Sequence, residues 1–293
     1  MTFSATIIAD SVSPNGHRLT TIEVTFPRIV LAEFNTHRVF SRNSASSRAI
    51  PVRKRISHVQ QDPFIPDAWG AEQKGMQAEH DLNDADAEKA RAIWRAATAN
   101  AIESARALAE LGAHKEYANR LLEPFMWQTV LVTATEWDNF FALRDSEMAQ
   151  PEIHEAARLM RAAYNSSAPR FVDFGEWHLP LIQPDEYDGV FEFSEAARKV
   201  SSARCARVSY LTHDGTRDVG KDLDLFDRLY RPGHMSPFEH VATPNKYVGK
   251  LVQEDETSLG NPIYRWYPRF DGNLRGWKQY RKFFPHEANF GAR

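Results

Sequence analysis

The sequence predicts an α+β protein that forms one domain over residues 1–293. Segments with helical patterns outnumber those with strand patterns, and no regular alternation of strand and helix indicates a doubly wound parallel sheet. The chain contains no internal repeat, low-complexity tract or clear linker. One domain is therefore the simplest organisation that agrees with the sequence.

A strand is predicted at residues 19–26, because apolar residues alternate there with polar ones: Ile22, Val24 and Phe26. Pro27 suits the first turn of a helix that follows. The apolar stripe of this helix consists of Ile29, Val30 and Phe34. From Ser41 the segment SRNSASSR is poor in helix formers and rich in hydroxyls, which predicts an ordered polar loop.

Four helices are predicted in the middle of the chain, at residues 84–111, 115–122, 137–144 and 151–164. The first is rich in alanine, has apolar residues at four-residue spacing, and can end at Gly112. It follows a segment with several Pro and Gly residues, 60–82, that predicts a connecting loop.

The C-terminal third begins with a predicted turn region at residues 168–187, and a helix starts at Ser194. The segment KVSSARCARVSY, residues 199–210, then resembles the approach to a strand or loop. A helix at 222–230 precedes residues 231–241, where Pro and Gly predict an irregular conformation.

The composition is that of an ordinary globular protein, with 42% hydrophobic and 26% charged residues. The formal net charge of −3 argues against nucleic-acid binding by the whole chain. No apolar run suggests a membrane span and no secretory pattern is evident at the N-terminus. The single cysteine, Cys205, excludes an intramolecular disulfide and a cysteine-cluster metal site. We therefore expect a cytoplasmic protein without a metal centre.

Positive charge is concentrated in one segment that lacks acidic residues and contains Arg38, Arg42, Arg48, Arg53, Lys54 and Arg55. A local positive field in an otherwise acidic protein suits a compact phosphorylated ligand better than a long polyanion. The alternative interpretation is a solvated basic surface.

Several motifs of other chemistries are absent from the sequence. It contains no GxGxxG, no GxxxxGK[ST] and no HExxH, and its histidines have no zinc-site spacing. Cys205 lies between Arg204 and Arg207, which can lower a thiol pKa, but a lone cysteine is more often a small buried apolar residue. No nucleophile–base pair is indicated.

The segment THRVFSRNSASSR, residues 36–48, is the best candidate for a binding loop. His37 and Arg38 lie near a predicted helix end, and Arg48 closes a loop that is rich in serine. Hydroxyls, free backbone N–H groups and a guanidinium on one short loop favour phosphate binding.

This segment resembles the signature of the flavin-dependent thymidylate synthases, which is Arg-His-Arg, seven residues, then Ser-x-Arg. The chain has Thr36-His37-Arg38, seven residues, then Ser46-Ser47-Arg48, so four of the five fixed positions agree. Three further segments resemble blocks of the same family: NFFALRDSEMAQPEI at 139–153, ARCARVSY at 203–210 and GHMSPFEHV at 233–241. The resemblance implies a mixed or antiparallel central sheet flanked by long helices, with a uracil-binding helix at 137–153.

The order of the blocks differs from the common form of the family. The flavin-lining blocks, here at 203–241, normally precede the strand and helix that lead to the signature. This order suggests a circular permutation, which is tolerated when the original termini lie close together at the surface. We therefore expect the N- and C-terminal segments to pack against each other in one sheet.

The resemblance implies conversion of dUMP to dTMP with methylenetetrahydrofolate and NADPH as co-substrates and FAD as cofactor. It implies a homotetramer with shared active sites. Arg144 is the implied catalytic residue, although a surface pairing with Asp145 or Glu147 is an alternative. The implied dUMP-binding residues are Glu33, Ser46, Arg48, Arg120 and Arg144, with Arg120 reaching from a neighbouring subunit. The implied FAD-binding residues are His37, Arg38, Ser44, Asn139, Ser209, His234, Ser236 and Glu239.

Three positions depart from the family pattern. Thr36 replaces the first signature arginine, Ser44 replaces an acidic residue, and Glu33 stands where the family has a glutamine. Two alternative functions therefore remain open from the sequence. They are a flavin-dependent dUMP hydroxymethylase, in which water captures the methylene adduct, and a non-catalytic nucleotide-binding protein.

Overall fold

A computed structural model describes residues 2–75, 78–186, 191–207, 217–246, 249–257, 260–268, 272–284 and 287. Within them, five strands form the main sheet: β1 (Ser4–Val12), β2 (Arg18–Pro27), β3 (Ser41–Ser44), β4 (Trp127–Ala134) and β5 (Arg170–Phe171). Their order across the sheet is β3-β4-β2-β1-β5. The short β5 runs parallel to β1, and the other neighbours are antiparallel. The α+β prediction with a mixed sheet is therefore confirmed.

Two further strand pairs lie in the C-terminal region. β6 (Ala242–Pro244) pairs with β9 (Trp277–Gln279), and β7 (Gly249–Glu256) pairs with β8 (Pro262–Pro268). The helices are α1 (Leu31–Phe34), α2 (Val52–Gln61), α3 (Asp84–Glu110), α4 (Lys115–Ala118), α5 (Asp138–Arg144), α6 (Pro151–Ser166), α7 (Glu195–Ala206) and α8 (Val219–Tyr230). No helix in the described part of the chain is both long enough and apolar enough to span a membrane.

One face of the main sheet is apolar and packs against helices. Ile22 and Val24 of β2 lie opposite Val132 and Val130 of β4, and all four side chains are buried. Because side chains alternate between the two faces of a strand, this register directs the apolar set to one side. α5 and α6 cover that side, and Phe140 is among the buried residues of this core.

The opposite face of the sheet carries a buried polar chain. Thr21 Oγ1 and Thr133 Oγ1 lie 2.6 Å apart on neighbouring strands, and Thr21 Oγ1 is also 2.8 Å from Nε2 of His178. His178 Nδ1 is 2.8 Å from Ser11 Oγ, and Thr133 Oγ1 is 2.8 Å from Nδ1 of His240. Burial lowers the pKa of both histidines to about 3. Two neutral imidazoles therefore connect the C-terminal third of the chain to the sheet.

The segment from Ser41 to Ser44 is a strand, so the prediction of a polar loop there was wrong. Arg42 pairs with Val132 and Asn43 with Leu131, which makes β3 an edge strand of the main sheet. Pairing with a long buried neighbour outweighs the weak strand preference of a Ser- and Asn-rich segment. The strands at Ser4–Val12 and Trp127–Ala134 were not predicted.

Residues 199–206 are helical, so the prediction of an approach to a strand or loop was wrong for this part of the chain. They belong to α7, whose preceding Ser194 accepts a hydrogen bond from the Ala197 backbone N–H. α7 buries Val200 and Ala203 and packs against α8. That packing favours a helix despite two serines. Residues 208–210 lie outside the described residues.

The N- and C-terminal segments touch, but within the described residues they do not share a sheet as expected. Trp277 Nε1 donates a hydrogen bond to the His17 carbonyl at 3.1 Å, and Trp277 packs against Leu19. However, Trp277 belongs to β9, which pairs with β6 rather than with a strand of the main sheet. The contact therefore runs through side chains and the turn that precedes β2.

Candidate functional site

His37 lies just after α1 and is buried, with 8% of its surface exposed. Its ring stacks on Phe40 with a centroid distance of 5.7 Å and meets the Phe140 ring edge-on at 4.9 Å. Burial lowers the pKa of His37 to about 4, and the nearby cations Arg144 and Arg42 add to this effect. The imidazole is therefore neutral near pH 7 and has one nitrogen that can accept a hydrogen bond.

Arg144, the last residue of α5, donates a hydrogen bond from Nε to Nε2 of His37 at 3.1 Å. This contact fixes the His37 proton on Nδ1. The adjacent Asp145 is engaged by Arg161 at 3.0 Å instead, and Arg144 forms no ion pair within the described residues. The two terminal nitrogens of Arg144 therefore remain available for a planar acceptor such as a pyrimidine edge.

The loop with Ser46 and Arg48 is held by Asn119, a residue that was not singled out in the sequence. Asn119 is fully buried, and its Nδ2 donates to the carbonyls of Ser47 at 2.7 Å and Ile50 at 2.9 Å. Arg48 itself is exposed, with its Nε 3.6 Å from Glu116 Oε2. The backbone of the loop is thus held in place, while the Arg48 guanidinium remains accessible.

Arg120 follows Asn119 and lies near the same loop of its own chain. Its Nη1 is 3.6 Å from Glu123 Oε1, and the same Glu123 oxygen accepts from Ser47 Oγ. Arg28 also binds this carboxylate, at 3.0 Å. Arg28 and Glu123 were missed in the sequence because neither belongs to the signature. Arg120 is therefore linked to the loop of its own chain through Glu123 and Ser47.

A groove of about 430 Å³ runs beside α1 from this cluster, and it is lined by Arg28, Ile29, Leu31, Ala32, Asn35, Glu123 and Pro124. Arg28 and Glu123 form one end of the groove, and Asn35 lies two residues before His37. Glu33 does not line it, and its Oε2 is buried without a hydrogen-bond partner. The groove is thus bordered by α1 and by Arg28 and Glu123, and Glu123 also accepts from Ser47 of the loop.

A second cationic region contains Arg38 and Arg42 of the signature segment. It lies near residues 236–239, which form a short 3-10 helix beside β3. Burial lowers the pKa of Arg42, the Glu239 carboxylate opposes this shift, and the Arg38 guanidinium adds to it. Gln279 Nε2 donates to Ser41 Oγ at 2.9 Å and to the Glu239 carbonyl at 3.2 Å. The packing of the 3-10 helix against β3 therefore places both Arg38 and Glu239 close enough to Arg42 to change its pKa.

The other residues that the resemblance implied for FAD binding are less closely connected. Ser44, Asn139, His234 and Ser236 are exposed. Asn139 precedes Arg144 by five residues on α5, so it lies about 140° around that helix from Arg144. Ser209 lies outside the described residues.

Cys205 is fully buried against Leu131 and Leu181, and burial raises the pKa of its thiol far above the ordinary value. It therefore has no thiolate character near pH 7. In the portion of the chain that the structure describes, no group of three or more His, Cys, Asp or Glu residues is arranged to hold a metal ion.

Comparisons with known proteins identified one family model, the thymidylate synthase complementing protein, which matches residues 6–170. The matched range includes the signature and the Arg144 helix and ends before the blocks at 203–241.

Two solved structures of the UMP/dUMP methylase PolB from Streptomyces cacaoi, one with 5-Br UMP and one with 5-Br dUMP, are similar to this chain. The first has a TM-score of 0.46 and 18% identity, covering 56% of this chain and 88% of that chain. The second has a TM-score of 0.44 and 16% identity, covering 56% and 89%. No curated protein sequence matched the chain.

Proposed function

Because the chain belongs to the thymidylate synthase complementing protein family, we propose that it catalyses the flavin-dependent reductive methylation of dUMP to dTMP, with methylenetetrahydrofolate and NADPH as co-substrates. The observation that carries this proposal is the Arg144–His37 hydrogen bond of 3.1 Å, which joins the implied uracil-binding helix to the signature. A guanidinium without an ion pair among the described residues and a loop fixed by Asn119 are features that suit a nucleotide monophosphate.

In this proposal the dUMP phosphate is bound by Ser46, Arg48 and Arg120, and the nucleoside extends along the groove beside α1. Arg48 and Arg120 are exposed, with 70% and 63% of their side chains accessible, so the phosphate can reach both. Glu33 is also proposed to act near dUMP, although it does not line this groove. Charge-assisted hydrogen bonds to phosphate supply most of the nucleotide affinity.

Arg144 is the proposed catalytic residue. A guanidinium that faces the uracil stabilises negative charge that develops on the ring when C5 becomes nucleophilic. His37 accepts the Arg144 Nε–H and so directs its two terminal nitrogens. Because the pKa of His37 is lowered to about 4, this acceptor is neutral throughout the physiological range and does not repel the guanidinium.

The residues near β3 fit an FAD. Arg38 and Arg42 supply positive charge for its diphosphate, and Glu239 supplies an acceptor for a hydroxyl or ring N–H. We propose that His37, Arg38, Ser44, Asn139, Ser209, His234, Ser236 and Glu239 hold the cofactor. When bound, the flavin supplies the redox chemistry, and the protein supplies orientation and electrostatics.

We further propose a homotetramer with shared active sites and a circularly permuted order of segments. The contact between Trp277 and the His17 carbonyl supports permutation, because it joins a residue of the C-terminal segment to one of the N-terminal segment. Arg120 is 3.6 Å from Glu123, which contacts Ser47 of its own chain's loop, and its exposed side chain is the one proposed to reach the phosphate of a neighbouring subunit.

The experiment is an absorbance spectrum of the purified protein, followed by product mass after incubation with dUMP, methylenetetrahydrofolate and NADPH. We expect bound flavin and dTMP. Arg144→Ala should retain flavin and lose turnover, while Arg158→Ala, which removes an exposed arginine paired with Glu155, should behave as the wild type. A hydroxymethylated product would favour the hydroxymethylase alternative, and a colourless inactive protein would contradict the proposal.

A further inference from the structure

Arg55 is a buried arginine on α2 without a partner. Only 7% of its surface is exposed, and within the described residues it makes no hydrogen bond or ion pair. Its Nε and Nη2 are both buried and unsatisfied. An isolated buried charge costs several kcal/mol in a folded protein, so a guanidinium in this position requires a compensating anion.

The Glu123 carboxylate favours the charged form of Arg55, but it is shared with other cations. Glu123 interacts with Arg28 at 3.0 Å and with Arg120 at 3.6 Å, and it also accepts from Ser47. Burial lowers the pKa of Arg55 to about 10, and the Arg28 guanidinium contributes to this shift. The region therefore has an excess of positive charge even with Glu123 ionised.

A cavity of about 160 Å³ opens beside Arg55 and is lined by Arg55, His58, Val59, Gln61, Asp62, Met126 and Trp127. Its volume is far above the roughly 10–15 Å³ that one water molecule needs. Trp127 contributes a second buried donor, because its Nε1 also lacks a hydrogen-bond partner. Asp62, the acidic residue of the lining, is the C-cap residue of α2.

We propose that this cavity is a binding site for a tetrahedral oxyanion of phosphate size, either free phosphate or the phosphate group of a small monoester. Arg55 provides the charge and N–H donors, and Trp127, which also lines the cavity, provides a further N–H donor. The site is separate from the loop proposed for the dUMP phosphate, because neither Ser46 nor Arg48 lines the cavity. This site would give a function to Arg55, the last residue of the basic segment, which lies outside the signature.

The test measures the thermal midpoint of the full-length protein in inorganic phosphate against chloride at equal ionic strength. The wild type should gain roughly 5–10 °C at about a hundredfold excess of phosphate over its Kd. Arg48→Ala should retain this gain, since it alters only the dUMP loop. Arg55→Met, which has a similar volume and no charge, should lose the gain and be at least as stable as the wild type in chloride. Arg53→Met is the matched control, because Arg53 is exposed on the same helix and should retain the gain.

A second arm replaces inorganic phosphate with methyl phosphate. Stabilisation by both ligands indicates a site that accepts a monoester, and stabilisation by inorganic phosphate alone indicates a site for the free anion. The proposal is overturned if phosphate gives the wild type no gain over chloride. A gain that persists in Arg55→Met, or one that disappears in Arg48→Ala, also overturns it. The test does not depend on turnover, so it remains valid if the proposed methylation fails.

Discussion

Nε of Arg144 donates a hydrogen bond to Nε2 of His37 across 3.1 Å, although the two residues are 107 positions apart. The acceptor ring is held by Phe40 and Phe140, and its low pKa keeps it neutral. The pair therefore behaves as one unit in which a rigid neutral ring aims a guanidinium.

We expect His37→Ala to lower kcat/KM for dUMP by roughly 10- to 100-fold, because a hydrogen bond to a charged group contributes about 1.5–3 kcal/mol. His37→Gln should recover part of the loss, since its amide oxygen can accept from Arg144. A double-mutant cycle with Arg144→Ala separates this role from simple packing. Additive effects in that cycle, or equal losses in the Ala and Gln variants, would show that His37 does not position Arg144.

Arg48→Ala and Arg120→Ala should each raise the KM for dUMP by roughly 10- to 100-fold through loss of a charge-assisted bond to phosphate. Flavin content and the unfolding midpoint should change little, because both side chains are exposed. Arg106→Ala, which removes another exposed helix arginine, is the control.

Mixing the Arg48→Ala and Arg120→Ala proteins tests whether one site uses the two residues from different chains. Since Arg120 is proposed to reach the phosphate of a neighbouring subunit, mixed oligomers should contain some intact sites and should recover part of the activity. No recovery after mixing would place Arg120 in the site of its own chain, where Glu123 links it to Ser47.

Stability should fall on acidification between pH 6.5 and pH 4. The pKa values of His178 and His240 are lowered to about 3 in the folded protein, so in this window the unfolded chain binds more protons than the folded one. Stability therefore rises with pH, and each histidine costs roughly 2 kcal/mol at pH 5 relative to pH 7. Urea unfolding at both pH values measures the difference. His178→Gln should reduce the difference in unfolding free energy between pH 7 and pH 5 by roughly 2 kcal/mol. An unchanged difference would show that His178 does not contribute to it.

Gly276→Ala should destabilise the contact between the N- and C-terminal segments. An added Cβ would lie 2.2 Å from Cδ2 of His17, and the φ of +73° is unfavourable for alanine. Gly16→Ala is a matched control, because Gly16 has a φ of +78° but no atom within 4 Å of the added Cβ. We expect the control to cost about 1–2 kcal/mol and Gly276→Ala distinctly more. Equal costs in urea unfolding would show that His17 moves without penalty.

The sequence alone identified the elements that depend on local patterns. The helices at Asp84–Glu110 and Pro151–Ser166 agree with the predicted segments 84–111 and 151–164, because apolar spacing and end residues are local signals. The sequence also predicts that the serine-rich segment ending at Arg48 binds phosphate, because the hydroxyls and the guanidinium on which that prediction depends lie in a few consecutive residues.

Tertiary structure decided the features that depend on distant partners. Ser41–Ser44 became a strand because β4, more than 80 residues later, provides its backbone partners. α7 formed because α8 covers its apolar side. The same applies to the site, where Asn119 holds the loop of Arg48 and Arg144 meets His37. None of these pairings leaves a local pattern, because a side chain's partner across the core is determined by packing and register rather than by neighbouring residues.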